Sequence, residues 1–324
     1  MLSIRSQLLT LVTLVCMSSV TFAQFGTAVP ALSRNGEDFN EHKLEVGFKI
    51  TSNGTATGTV ASFPIPQIWP EQTVQLIKKK FSPEVSGFKV VDVKGAMQAQ
   101  VSILQLFNGQ SAEAIFVFEI RRVGIRPPKD PQTLKPVSTR RLDRDLKKYL
   151  NPSPSIESGS PIITKLAKEL SANKETVWDR TKSFYDFVHE KIRYENGPLK
   201  GAVAALEDGT GDCEEMTSLF IALCRANKIP ARTVWVPGHC YPEFLVMTAQ
   251  EKQIWVPVEM TNKYPFGQSP EYRPILQKGD SFKLLGSRLP QHYVKPEVKI
   301  RDYRGAIPPE VQWFPAQGKE PPGA

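Results

Sequence analysis

The hydrophobic period of this chain changes across a proline-rich segment, and this change restricts the fold more than any other feature. Between residues 44 and 50 apolar and polar side chains alternate, which is the period of a half-buried strand. From Pro161 onward apolar residues recur every three or four positions, which is the period of an amphipathic helix. Strand patterns return between residues 231 and 258. Helices followed by an antiparallel sheet predict an α+β core, and the alternating segment before them predicts a β-sandwich-like domain.

Composition divides the chain into five segments. Residues 1–23 have the pattern of a signal peptide, and residues 37–125 contain five or six short strand patterns separated by turns. Six prolines indicate a linker over residues 126–160, and residues 161–299 hold the helices and the later strands. Residues 300–324 carry five prolines and no periodicity, which predicts an extended or disordered tail. An irregular β extension without its own core is the alternative for residues 37–125.

Local patterns place individual elements within these segments. Spacing of Ile162, Leu166 and Leu170 predicts a first helix, and later apolar runs predict helices over residues 177–192 and 213–226. The dipeptide Asn108-Gly109 predicts a β-hairpin between two strands. Further strands are predicted over residues 231–236, 239–247 and 253–258.

The N-terminus predicts export. Arg5 precedes an apolar stretch at residues 8–15, and Thr21-Phe-Ala23 fits the small-residue rule for cleavage after Ala23. The apolar stretch is short for a membrane span, although an uncleaved anchor is the alternative. Lipidation of Cys16 is disfavoured because Val15 is not the small residue expected before a lipidated cysteine. We therefore expect a periplasmic or secreted protein that is soluble after cleavage, without stable membrane insertion.

Charge and cysteine content limit the class of function. The net charge is +8, but the basic residues are scattered rather than clustered with aromatics, which argues against nucleic-acid binding. Four histidines are present, none of them paired with a cysteine at zinc-site spacing, so no metal or other cofactor is predicted. The oligomeric state is left open.

Loss of Cys16 with the signal peptide leaves three cysteines, an odd number that makes at least one thiol free or intermolecular. Cys224 is expected to be buried in a helix, and Cys240 to point away from the neighbouring His239 across the strand. A disulfide between Cys224 and Cys240 remains an alternative.

One of these cysteines stands where a thiolate is favoured. Asp212 is a natural N-cap and Glu215 follows three residues later, so a capping box starts a helix at Cys213. The free N–H groups and dipole of a helix N-terminus stabilise an anion, and the thiolate is the nucleophilic form of cysteine. The adjacent glutamates oppose this effect, so a nearby imidazole must supply much of the activation.

An imidazole and a carboxylate follow in the order that nucleophilic catalysis needs. His239 begins one predicted strand and Glu259 ends the next, so a base and an orienting acid would converge on Cys213. Two other carboxylates could orient the imidazole. Glu243 is four residues along the same strand from His239, which is too far to bond it easily, and Asp212 is expected to be occupied by capping.

Three motifs around these residues resemble the transglutaminase-like superfamily. They are GDCEEMTSLFIALCRANKIPAR at 211–232, HCYPEF at 239–244 and WVPVE at 255–259, with YDFVHEKIRY at 185–194 upstream. The resemblance covers roughly residues 160–262 and implies a papain-like or transglutaminase-like core. It also implies Cys213 as nucleophile, His239 as base and Glu259 as orienting acid, acting on an amide or peptide bond of a protein or peptide through a thioester.

The chain departs from the family pattern at three positions. Glu259 stands where aspartate is usual, Tyr241 replaces a tryptophan, and Pro242 removes a ladder donor, which predicts an edge strand or a bulge. A catalytically weak or inactive binding module with the same fold is therefore the alternative to a cysteine peptidase, amidase or transglutaminase.

Overall fold

The computed structural model describes residues 39–284 and 287–315. The predicted signal peptide, its cleavage site after Ala23 and the last part of the predicted tail lie outside these ranges. The described part is a mixed α+β protein with several antiparallel sheets, which confirms the predicted fold class. None of its helices is long and apolar enough to cross a membrane.

A β-sandwich of two four-stranded antiparallel sheets forms one part of the molecule. The strands are β1 (Phe39–Thr51), β2 (Thr55–Ile65), β3 (Gln72–Phe81), β4 (Val85–Asp92), β5 (Met97–Leu106), β6 (Ser111–Val123), β14 (Glu297–Arg304) and β15 (Glu310–Phe314). One sheet has the strand order β15-β1-β6-β3 and the other β14-β2-β5-β4, and apolar side chains from both fill a common core. A core of its own distinguishes this domain from an irregular β extension.

The tail predicted from residue 300 is wrong for the part that the structure describes. Strand β14 pairs with β2 and strand β15 pairs with β1, so residues 297–314 complete both sheets. The ring of Trp313 lies 6.0 Å from that of Phe48 and 6.2 Å from that of Phe63, in the sandwich core. Sequence reasoning missed these strands because strands with charged outer faces have little apolar signal and depend on packing against distant partners.

The turn at Asn108-Gly109 is present, but it does not make the predicted hairpin. It connects β5 to β6, which lie in different sheets of the sandwich. The N–H of Gly109 bonds to the carbonyl of Ser52, 2.7 Å away, and Gly109 has a positive φ of 79°. The local turn chemistry was therefore read correctly, whereas the pairing of the flanking strands was set by burial of their apolar faces.

Helices packed on an antiparallel sheet form the second part, as predicted. The elements are β7 (Lys135–Pro136), α1 (Arg144–Lys147), α2 (Pro161–Ser171), α3 (Val177–Lys191), β8 (Arg193–Tyr194), α4 (Gly201–Asp208), β9 (Thr210–Gly211), α5 (Cys213–Ala226), β10 (Ala231–Val236), β11 (His239–Met247), β12 (Gln253–Pro257) and β13 (Gln277–Lys278). The strand order in the sheet is β12-β11-β10-β13, and β7 also pairs with β11. Helix α5 is central, because nearly all of its side chains are buried.

The proline-rich segment predicted as a linker lies against this core. Its residues Leu134, Tyr149 and Ile156 are buried. Arg225 at the end of α5 donates to the carbonyl of Asn151, at 2.9 Å, and pairs with the buried Asp280. The segment is therefore packed along the domain rather than spanning solvent.

Candidate active site

The start of α5 has the geometry that the sequence predicts. Asp212 accepts a hydrogen bond from the N–H of Glu214 at 2.8 Å, and Glu215 accepts one from the N–H of Asp212 at 3.2 Å. The predicted capping box is therefore confirmed, and Cys213 is the first residue of the helix. A Cβ at Gly211 would lie 2.4 Å from the Cβ of Glu215, so this packing requires glycine before the cap.

His239 is the first residue of β11 and faces a carboxylate from the next loop. Its Nε2 atom lies 3.2 Å from both Oε1 and Oε2 of Glu259, which follows β12. The ring nitrogen left for the thiol of Cys213 is Nδ1. Thr261 holds the carboxylate in place, because its N–H (3.1 Å) and its hydroxyl (2.9 Å) both donate to Oε1 of Glu259. The structure thus places His239 beside Glu259, and a hydrogen bond between His239 and the Cys213 thiol connects the third sequence-predicted residue to them.

The charges of this cluster are mutually stabilising. Hydrogen bonding from Cys240, followed by the interaction with His239, lowers the pKa of Cys213 to about 5, although burial opposes this shift. Burial lowers the pKa of His239, but Cys213 and Glu259 outweigh it and raise the value to about 9. Burial likewise opposes ionisation of Glu259, whose pKa is nevertheless lowered by His239 and Thr261. These shifts favour a thiolate, an imidazolium and a carboxylate at neutral pH.

The two alternative carboxylates are engaged elsewhere. Glu243 is buried between two cations, with Oε1 2.6 Å from Arg232 Nε and Oε2 2.8 Å from Lys278 Nζ. Lys278 also pairs with Glu71 of the sandwich. Asp212 caps α5, and burial together with Glu215 raises its pKa to about 8. Neither of these side chains bonds to His239, whereas Glu259 does.

The three described cysteines are free thiols, so the disulfide between Cys224 and Cys240 is not formed. Cys224 is fully buried inside α5. The Sγ of Cys240 lies 3.8 Å from Oγ1 of Thr217, one helical turn after Cys213 on the same face of α5. Burial, followed by hydrogen bonding to Cys213, raises the pKa of Cys240 well above its usual value. Sequence reasoning missed this partnership, because only the packing of β11 against α5 brings the thiols together.

Pro242 lies in a strand that is central in the sheet order, but at the point where pairing with β12 ends, so the predicted bulge is absent and the proline occupies a local edge. Strand β11 pairs with β10 without a register shift, and its pairing with β12 begins at Glu243. The carbonyl of Pro242 accepts from the N–H of Val258, 2.9 Å away. Since the nitrogen and carbonyl of one residue point to the same side of a strand, the proline nitrogen faces the end of β12. One ladder bond is lost there, and the strand that carries His239 is intact.

Two further side chains are near enough to Cys213 for the charge of its thiolate to affect their pKa values. Strand β8, which contains Tyr194, pairs with β9 immediately before Cys213, and burial followed by the charge of Cys213 raises the pKa of Tyr194. Arg273 is partly exposed and interacts electrostatically with Glu259 and Cys213, although Glu271 has the largest effect on its pKa. In the sequence, only the position of Tyr194 at the end of the motif at 185–194 indicated that it lies near the site, and nothing indicated this for Arg273.

Comparisons with known proteins agree with the fold. Residues 164–260 match the model of the transglutaminase-like superfamily, a range that includes Cys213, His239 and Glu259. A solved structure from Cytophaga hutchinsonii, described as a candidate cysteine protease, is 15% identical with a TM-score of 0.53. The match covers 88% of this chain and 96% of that one, and shows a common fold.

A second solved structure, from Parabacteroides distasonis and described as a candidate protease, is 12% identical over 66% of this chain and 42% of that one. Its TM-score of 0.28 is too low to indicate a common fold. No curated protein sequence matches this chain.

Proposed function

We propose that this chain, which contains a domain of the transglutaminase-like superfamily, is an exported cysteine acyl-transfer enzyme that acts on amide or peptide bonds. In this proposal Cys213 is the nucleophile, His239 the general acid and base, and Glu259 the carboxylate that orients the imidazole. Export rests on the signal-peptide pattern of residues 1–23.

The observation that carries the proposal is the arrangement of Cys213 at the start of α5, beside His239, whose Nε2 lies 3.2 Å from both carboxylate oxygens of Glu259. Hydrogen bonding lowers the pKa of the Cys213 thiol to about 5, and Cys213 and Glu259 raise the pKa of the imidazole to about 9, which favours the proton on the imidazole at neutral pH. A cysteine with a structural role has no need of such a partner and is usually buried with a raised pKa, as Cys224 is. Cys213 is instead partly exposed.

The reaction follows from these protonation states. The Cys213 thiolate attacks the carbonyl carbon of an amide, and the carbonyl π electrons move to oxygen. As the tetrahedral intermediate collapses, the C–N bond breaks and the His239 imidazolium gives its proton to the leaving nitrogen. A thioester and ammonia or an amine result. The neutral imidazole then takes a proton from a water or an amine as that molecule attacks the thioester carbon. The C–S bond breaks, Cys213 leaves as the thiolate, and the product is an acid by hydrolysis or a new amide by transfer.

Glu259 supports this cycle from the other side of the ring. Its carboxylate is close to both the Nε2 proton and the positive charge of the imidazolium, and 4% of its side chain is exposed. The extra methylene relative to aspartate does not prevent the contact. An intact β11 and a bonded Glu259 together support the enzyme over the inactive binding module, because the departures at Pro242 and Glu259 are both accommodated.

Mass spectrometry of the purified protein with a glutamine-containing peptide and a primary amine tests the proposal. Hydrolysis of the side-chain amide adds about 1 Da, transfer adds the amine less ammonia, and peptide cleavage yields fragments. We expect one of these products, and we expect none from Cys213→Ala. A panel of peptides that all remain unchanged, with Cys213 unreactive towards a thiol probe at pH 7, would leave the binding module as the function.

A further inference from the structure

The β-sandwich reaches the candidate active site through one buried arginine. Arg122 lies near the end of β6, is 1% exposed, and points out of the sandwich into the α+β domain. Its Nη2 donates to the hydroxyl of Tyr241 at 2.6 Å, and its Nη1 donates to the backbone carbonyl of Arg273. A buried guanidinium is costly unless it is well bonded, so these contacts constrain both partners.

Both partners of Arg122 border His239. Tyr241 is two residues after His239 on β11, so the two side chains share a strand face, with ring centroids 6.5 Å apart. On the other side, Nη1 of Arg273 donates to the carbonyl of Pro237, two residues before His239, at 3.0 Å. Arg122 therefore holds the segment that carries the imidazole from both directions.

This support comes where the sheet supplies little. Pairing of β11 with β12 begins at Glu243, so the first residues of β11 pair with β10 alone. His239 is also next to the turn that joins β10 to β11, where Gly238 has a positive φ of 69°. A strand end with one neighbour is free to tilt, and a shift of about 1 Å at a reacting group can cost 10²-fold in rate.

We propose that Arg122 is a positioning residue, through which the sandwich holds His239 at the correct distance from Cys213 by way of Tyr241 and Arg273. The sandwich would then be part of the catalytic apparatus rather than a separate binding module. The inference rests on the proposed function for its effect on turnover, but its effect on the Cys213 thiol is independent of any substrate.

The experiment measures the rate of iodoacetamide alkylation of Cys213 against pH in the full chain. Arg122→Gln and Tyr241→Phe should move the midpoint up by about one pH unit, because the imidazolium no longer approaches the thiolate closely. Arg122→Lys should shift the midpoint less than Arg122→Gln does, because the lysine ammonium can still donate to one of the two acceptors. With a substrate in hand, kcat should fall about 10²-fold with little change in KM.

Two controls separate positioning from simple destabilisation. Glu71→Gln weakens another buried contact between the sandwich and the α+β domain, the pair with Lys278, which reaches β11 at Glu243, four residues from His239, and not through Tyr241 or Arg273. Phe48→Leu loosens the sandwich core itself. Both should lower the melting temperature and leave the alkylation midpoint unchanged. An equal shift in either control, or a wild-type profile in folded Tyr241→Phe, overturns the proposal.

The two proposals can fail separately. If no amide is turned over by the wild type but the midpoint moves in Arg122→Gln and Tyr241→Phe, positioning stands and the enzyme assignment falls. If amides are turned over and neither variant changes kcat or the midpoint, the enzyme stands and Arg122 is a structural residue only. Should Arg122→Gln fail to fold, Tyr241→Phe decides the matter, because it retains the buried ring.

Discussion

The Nε2 atom of His239 lies 3.2 Å from each of the two carboxylate oxygens of Glu259. This symmetric contact assigns one side of the imidazole to the acid and leaves Nδ1 for the thiol. Hydrogen bonding to Cys213, followed by this contact with Glu259, raises the pKa of the imidazole although burial opposes it and only 10% of the His239 side chain is exposed. The consequences can be measured.

Cys213 should be the most reactive thiol of the chain. Its pKa is lowered to about 5, whereas Cys224 and Cys240 are buried with raised pKa values. Limiting iodoacetamide at pH 7, followed by peptide mapping, should label Cys213 first. Preferential labelling of Cys240 would contradict the assignment of the nucleophile.

Activity should be bell-shaped in pH. The thiolate requires a pH above the Cys213 pKa, so kcat/KM should rise as pH increases through about 5. The imidazolium requires a pH below the His239 pKa, so kcat/KM should fall as pH increases through about 9. Because Cys213 and His239 interact, each limb of the pH profile reports an apparent pKa of the pair and not of one residue. A profile that rises through pH 7 would indicate that the ground state is a neutral thiol and imidazole.

Glu259→Gln should reduce kcat by a large factor, up to about 10⁴ in comparable triads, while the protein stays folded. The glutamine side chain favours the wrong imidazole tautomer and lacks the negative charge with which Glu259 stabilises the imidazolium. Turnover of an amide substrate and thermal melts are the measurements.

Glu243→Gln is the matched control for that variant. It removes charge from a site between two buried cations, so it should lower the free energy of unfolding, by about 3 kcal/mol if the pair is effectively broken. Full activity of Glu259→Gln, together with a folded but inactive Glu243→Gln or Asp212→Asn, would show that another carboxylate orients the imidazole.

Cys240→Ala should raise the pKa of Cys213. The Cys240 thiol is the largest favourable influence on the Cys213 thiolate, as a hydrogen-bond donor that alanine lacks. The acid limb of the pH profile should therefore move towards neutral pH. Cys224→Ala is the control, because Cys224 is buried elsewhere in α5, and it should leave this limb in place. An unchanged limb in Cys240→Ala would mean that His239 alone activates the thiol.

The mature protein is predicted to begin at Gln24, because Thr21-Phe-Ala23 satisfies the cleavage rule. N-terminal sequencing of protein recovered from the exported fraction measures this directly. Recovery of the chain from Met1 in the membrane fraction would replace cleavage with an N-terminal anchor.

The sequence alone determined the features that depend on near neighbours along the chain. The capping box of Asp212 and Glu215, the first position of Cys213 in α5 and the three strands β10, β11 and β12 follow from local hydrogen bonding and hydrophobic period. These effects act over a few residues, so pattern and spacing were sufficient to predict them. The resemblance motifs added the order of Cys213, His239 and Glu259.

Only the tertiary structure decided which distant groups meet. Glu243 and Glu259 are both plausible partners for His239 in sequence, and the choice depends on Arg232 and Lys278 occupying the first of them. In the same way, Cys240 meets Cys213 because β11 packs on α5, and β14 and β15 join a sandwich whose other strands are some 200 residues earlier. Arg122 gives no local signal at all. Such contacts arise from burial of apolar faces and pairing of buried charges over long sequence separations, which hydrophobic period does not encode.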